Sequence, residues 1–217
     1  MRGTYIWALS LLAWSASPAA IFRGTVTDRD GAPVGDAAIV LVPTDGSSPA
    51  AGRQQAAPRV MDQVGQQFDP HVLVIGKGDQ VAFPNSDTVA HQVYSFSPVK
   101  RFSLGLYRGL PYAPVEFDEP GLIVLGCNIH DSMVAYIFVA ESQYFGKSND
   151  RGEVEVSGVP AGTYAVKAWT PRFKEQEPRL LQQFTLKADE TAAVELKLDG
   201  ALAPKRTAPA KHGKLRY

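Results

Sequence analysis

The chain has 217 residues, 45% of them hydrophobic and 20% charged, which is ordinary for a globular protein of one large or two small domains. Lys and Arg together number 22, as do Asp and Glu, so charge gives no reason to expect nucleic acid or an anionic membrane as the main partner. The lone cysteine excludes an internal disulfide, an iron–sulfur cluster built on several thiolates, and haem attachment through C-x-x-C-H.

Residues 1–20 read as a secretory signal peptide. Arg2 precedes the apolar run "IWALSLLAW", and "SASPAA" offers small residues for cleavage near Ala19 or Ala20. The run is too short for a permanent membrane span, and no other stretch approaches that length. The expectation is a soluble protein exported to the periplasm. In an oxidising compartment a free thiol is a liability unless something occupies it.

Residues 21–43 hold two strand candidates, 25–28 and 37–42, separated by the turn-forming "RDGAPVG". Residues 44–58, rich in Ser, Gly, Ala and Pro, read as a linker. The block 59–141 carries candidates at 71–75, 80–83, 90–96, 114–117, 122–126 and 134–140, with turns at "GKGD", "PNSD" and "EPG". No segment shows a convincing 3.6-residue period, so the class is all-β, a sandwich or barrel. In 142–199, Val154 and Val156 alternate, as do Tyr164, Val166 and Ala168, and 183–198 supplies two more strands. Residues 200–217 form a basic tail expected to be disordered.

Gly24, Val26, Asp28, Gly31, Pro33, Val34, Ala37 and Ile39, followed much later by "DRGEVEVSGVPAGTY", resemble the carboxypeptidase-regulatory-like, transthyretin-like β-sandwich family. In that family the two halves are contiguous; here the block 59–141 stands between them. Two N-terminal strands alone hold no core. The resemblance therefore implies one sandwich split by an inserted or packed second lobe.

The stretch "LGCNIHDSM" places Cys127, His130 and Met133 at three-residue intervals. Thiolate and thioether are soft ligands, and with imidazole they select copper. A second histidine from another strand completes the set, and His91 in "PNSDTVAHQV" is the candidate. Other readings stand beside this one. Cys127 could be a buried core thiol, although Asn128, His130 and Asp131 describe a polar loop. Structural zinc sites draw on more cysteines and do not use Met. A Cys–His hydrolase is compatible with C-x-x-H spacing but leaves Met133 and His91 without a role.

"FPNSDTVAHQV" and "EPGLIVLGCNIHDSM" resemble the two ligand segments of a cupredoxin, with the short loop of amicyanin-type members. Together with "FSLGLYRG", the architecture resembles the periplasmic methylamine utilization proteins. The implied fold is a cupredoxin Greek-key sandwich inserted into, or packed on, a transthyretin-like sandwich. The resemblance implies one type 1 copper ion held by His91 Nδ1, Cys127 Sγ and His130 Nδ1, with Met133 Sδ as a long axial ligand. It gives Asn85 a hydrogen-bonding role in fastening the ligand loops. The implied function is one-electron transfer to a transient redox protein partner, with no catalysis, no nucleic acid and no membrane span. The alternative is copper binding, delivery or adhesion without redox turnover. The block is short for the family, and an aromatic, basic excursion lies between His91 and Cys127. His71 reads as a strand-edge histidine, His212 as a solvated tail residue, and Lys100, Arg101 and Arg108 as surface charge or a rim for an acidic partner.

Overall fold

The computed structural model of the chain describes residues 20–47 and 57–205. Residues 1–19 of the expected signal peptide, the middle of the expected linker, and the tail from 206, His212 included, lie outside the described residues. The regular structure is all-β. No helix among the described residues is long and apolar enough to cross a membrane.

The strands run in chain order. First come β1 (Ala20–Asp28) and β2 (Ala38–Pro43). Three short pieces follow: β3 (Arg59–Val60), β4 (Asp62–Gln63) and β5 (Phe68–Asp69). Then come β6 (Val72–Gly76), β7 (Asp79–Ala82), β8 (His91–Ser95), β9 (Phe102–Tyr107) and β10 (Val115–Phe117). The hairpin β11 (Gly121–Gly126) and β12 (Val134–Ala140) is next. The last are β13 (Phe145–Lys147), β14 (Glu153–Val159), β15 (Gly162–Trp169), β16 (Arg179–Leu186) and β17 (Thr191–Leu198).

The N-terminal strands pair with C-terminal ones. β1 lies between β14 (antiparallel) and β17 (parallel), and β2 between β13 and β15, with β16 outermost. Period-2 alternation aims Ala20, Phe22 and Val26 inward, against Val154, Val156, Val166, Leu196 and Leu198. The middle block forms the sheet β6-β12-β11-β8-β9 and the sheet β10-β7-β3. Their shared core holds Val81, Phe117, Ile123, Leu125, Ile137 and Cys127.

Strand β12 explains how the two cores meet. Its sequence "VAYIFVA" is apolar on both faces. Ala135, Ile137 and Val139 point into the core containing Cys127, whereas Phe138 and Ala140 point into the other core, with Tyr136 packed against it. Its neighbours divide the same way: Ile75 and Leu73 face one core and Val72 and Val74 the other. Trp169 at the end of β15, 2% exposed, packs on Phe138 and Tyr136 with ring centroids 5.8 and 5.3 Å away. A strand buried on both faces reads as a continuous apolar run instead of an alternation, and such a sheet is the middle layer of the molecule.

Several expectations shift. β1 starts at Ala20, which is 1% exposed and pairs with Val159, five residues before the expected strand at 25–28. The excursion after His91 contains a full strand, β9, whose Tyr107 pairs with His91. Residues 200–205 are not free: Leu202 packs on the core, Ala203 N donates to Arg172 O at 2.8 Å, and Lys205 Nζ contacts Asp150 Oδ1 at 2.9 Å. The backbone N–H and C=O of Ala203 both find partners on Arg172, which the segment's lack of apolar periodicity did not foretell.

Candidate metal centre

The site is built at one end of the β8, β11 and β12 sheet. β11 and β12 pair with Gly126 opposite Val134, so the hairpin neck brings Cys127 and Met133 close to each other. The loop between them is held shut by Met133 N donating to His130 O at 2.8 Å and Val134 N to Ser132 O at 3.1 Å. β8 lies on the other side of β11, with Tyr94 opposite Gly126. A Cβ on Gly126 would stand 2.7 Å from the Tyr94 ring, so only glycine lets the two strands approach this closely just before Cys127. Asn128 Nδ2, donating to Gln92 Oε1 at 2.7 Å, ties the cysteine loop to β8.

His91 opens β8 on its inward face and is fully buried. Its Nδ1 lies 3.9 Å from Cys127 Sγ, and its ring centroid lies 4.9 Å from that of His130. One ligand atom each from His91, Cys127 and His130 falls within 4.8 Å of the others. Cys127 is 3% exposed and Met133 1%, and both belong to the same core. His130 is half-buried, but its Nδ1 is enclosed and has no hydrogen-bond partner.

An enclosed imidazole nitrogen without a partner is costly in a finished protein core, where buried polar atoms are nearly always satisfied. Beside this ring lie a buried thiol and a second imidazole, with one ligand atom of each of the three residues within 4.8 Å of the others. Two imidazoles and one thiol, gathered in an apolar shell, fit a metal ion of intermediate to soft character. A sulfur this buried is well placed to be a ligand and poorly placed to attack a substrate.

One partner escaped the sequence reading. His91 Nε2 is 2.8 Å from Asp87 Oδ2. The Asp87 carboxylate also accepts Gly65 N at 2.6 Å and Gln66 N at 2.8 Å, from the turn joining β4 and β5. Partial burial works against that charge, but the hydrogen bonds from Gln66, His91 and Gly65 outweigh it and hold the Asp87 pKa below its ordinary value. A carboxylate on the far nitrogen of a ligating histidine fixes the ring and its tautomer. The signal was present four residues before His91 but looked like turn chemistry in "PNSD".

Asn85, 4% exposed, donates through Nδ2 to Val89 O at 3.0 Å and Tyr107 O at 2.7 Å and accepts Asp87 N at 2.9 Å. It thus ties the loop carrying His91 to β9. His71 lies outside the group of three: its Nδ1 is 3.9 Å from Asp36 Oδ2 and its enclosed Nε2 has no partner. Lys100 pairs with Asp118 at 3.3 Å.

No protein-family profile matches the chain, and no curated protein matches it. Among solved structures it is similar to a reduced Cu(I) form of an amicyanin mutant, with 21% identity over 46% of this chain and 97% of that one, TM-score 0.35. It is also similar to a copper-containing nitrite reductase from Thermus scotoductus SA-01, with 23% identity over 54% of this chain and 28% of that one, TM-score 0.38. A purple cupredoxin from Nitrosopumilus maritimus is 20% identical over 46% of this chain and 96% of its own, TM-score 0.31.

Proposed function

We propose that the chain is a periplasmic copper protein that carries single electrons, in which His91, Cys127 and His130 would hold the ion with Met133 as a further sulfur donor. The observation that carries this reading is the gathering of one ligand atom each from His91, buried Cys127 and His130 within 4.8 Å of one another, with the enclosed Nδ1 of His130 left without a hydrogen-bond partner. When bound, copper supplies the one-electron couple. The protein supplies three things. Asp87 and Asn85 fix His91, and the β11–β12 neck fixes Cys127 and Met133, so the donor set is rigid. The apolar shell of Leu125, Ile137 and Phe117 excludes water. His130, half-buried at the surface, is the shortest way out for an electron.

The surface around that exit supports a transient protein partner. Ile129, next to His130 in the chain, is 51% exposed. Small apolar contacts of this kind suit brief encounters. The two split-sandwich strands and their C-terminal partners would then form the support on which the copper lobe is displayed.

The test is an absorption spectrum with metal analysis. Protein loaded with Cu(II) should develop an intense visible thiolate-to-copper band, one ion per chain, and a reversible midpoint potential. Cys127→Ser should abolish the band. A band that survives this substitution overturns the ligand assignment, and copper bound without a reversible potential turns the reading to delivery.

A further inference from the structure

A second polar cluster lies in the cleft where the two lobes meet. The cavity there has a volume of about 120 Å³ and is lined by Asp36, Gln67, His71, Ser132 and Met133, among others. That is room for an ion with several waters. Asp36 comes from the loop before β2, and His71 from the residue before β6, so neither lobe makes the cavity alone.

Two features mark it as a cation site. His71 Nδ1 and Asp36 Oδ2 stand 3.9 Å apart, beyond hydrogen-bond range. Two donors on one divalent ion lie up to about 4.2 Å apart, given bonds of about 2.1 Å each. The enclosed Nε2 of His71, on the other edge of the ring, has no hydrogen-bond partner. Asp36 is also held at φ 56°, a left-handed conformation uncommon outside glycine, with its backbone N bonded to Ser148 O at 3.1 Å. Its other oxygen takes Lys147 Nζ at 2.9 Å, which leaves Oδ2 turned toward His71.

Met133 connects this cavity to the centre. It walls the cleft and also sits in the core that contains Cys127. We propose that the cleft is a capture site for an incoming copper ion, with His71 and Asp36 as its ligands, and that it feeds the buried centre past Met133. This inference rests on the copper reading above. In the handover the bonds to His71 and Asp36 break, and bonds to Cys127 Sγ, His91 and His130 form. The Cys127 proton leaves to water, and the ion keeps its oxidation state. Capture near the surface answers a kinetic problem: Cys127 is 3% exposed and His91 fully buried, so neither meets solvent directly.

The experiment mixes metal-free protein with Cu(II) sulfate in a stopped-flow instrument and follows growth of the thiolate band. His71→Ala and Asp36→Asn should each slow the filling by about tenfold, the low end of what partners of metal ligands contribute. The final band and midpoint potential should match the parent's. Asn tolerates the left-handed backbone at position 36, and His71→Gln is the second variant if Ala disturbs packing on Tyr136. Filling at the parent rate overturns the capture site, as does a changed final spectrum, which would make these residues part of the centre. A parent that never develops the band overturns the copper centre itself.

Discussion

The Asp87 carboxylate holds His91 Nε2 at 2.8 Å and so turns the opposite nitrogen, Nδ1, toward Cys127 Sγ. The carboxylate is itself fixed by two backbone amides of the β4–β5 turn. Residues far apart in sequence thereby decide the orientation of one imidazole.

Asp87→Ala should therefore weaken copper binding about 10- to 100-fold, the usual effect of losing a histidine's outer partner. Competition against a chelator of known affinity measures it. Asp131→Ala, an exposed acid on the ligand loop, should leave affinity unchanged and serves as the control. Equal affinities for the two variants would remove Asp87 from the site.

Copper should also stabilise the fold, because the donor set exists only when the strands are assembled. At free ion one hundred times Kd the gain is about 2.7 kcal/mol. For a domain of this size that raises Tm by about 5–10 °C. Calorimetry on metal-free and copper-loaded protein reads the shift. It should vanish in Cys127→Ser, and a metal-free protein that melts at the loaded temperature would contradict it.

The Cys127, His130 and Met133 cluster was legible because its members share one short loop, and a hairpin neck brings loop ends together whatever the rest of the chain does. His91 was legible as a histidine entering an apolar run. Asp87 was not, because its partnership depends on where the β4–β5 turn lands. That turn, "VGQQ", lacks the Asn-Gly signature even though Gly65 and Gln66 both take positive φ, 62° and 58°. The middle layer was hidden for another reason. In "VAYIFVA" a strand covered on both faces looks like any apolar run, and the identity of the second face lies in Trp169, a distant residue. β9 was obscured because "FSLGLY" is a mostly exposed edge strand flanked by Lys100, Arg101 and Arg108, and only its Tyr107 is buried.

Trp169 offers the test of that middle layer. It fills the space between Tyr136 and Phe138 of one lobe and the β2–β15 sheet of the other. Trp169→Ala should cost about 3–5 kcal/mol, as large-to-small changes in a core do. In urea the parent should unfold in one transition with coincident far-ultraviolet circular dichroism and visible absorption, since the lobes share buried surface. The variant should unfold at lower urea in both signals. If only the circular-dichroism midpoint moves, the lobes are energetically separate.

Alkaline stability should report on Tyr164. Burial pushes its pKa up to about 12, with Tyr144 and Asp45 adding to the effect. Its hydroxyl donates to Pro160 O at 2.9 Å, so the fold prefers the neutral phenol. A pKa raised in the folded state gives stability that is fully present below the unfolded value, about 10, and fades as pH rises toward 12. Tyr164→Phe loses the hydrogen bond, about 1 kcal/mol at neutral pH. It has no phenol to ionise, so its deficit against the parent should shrink as pH climbs from 10 to 12. Tyr107, also raised to about 12, keeps its own alkaline effect in both proteins and cancels from the difference. Urea unfolding of both proteins at neutral and alkaline pH measures the deficit. A deficit that stays constant across that range would mean the Tyr164 phenol ionises alike in the folded and unfolded chain.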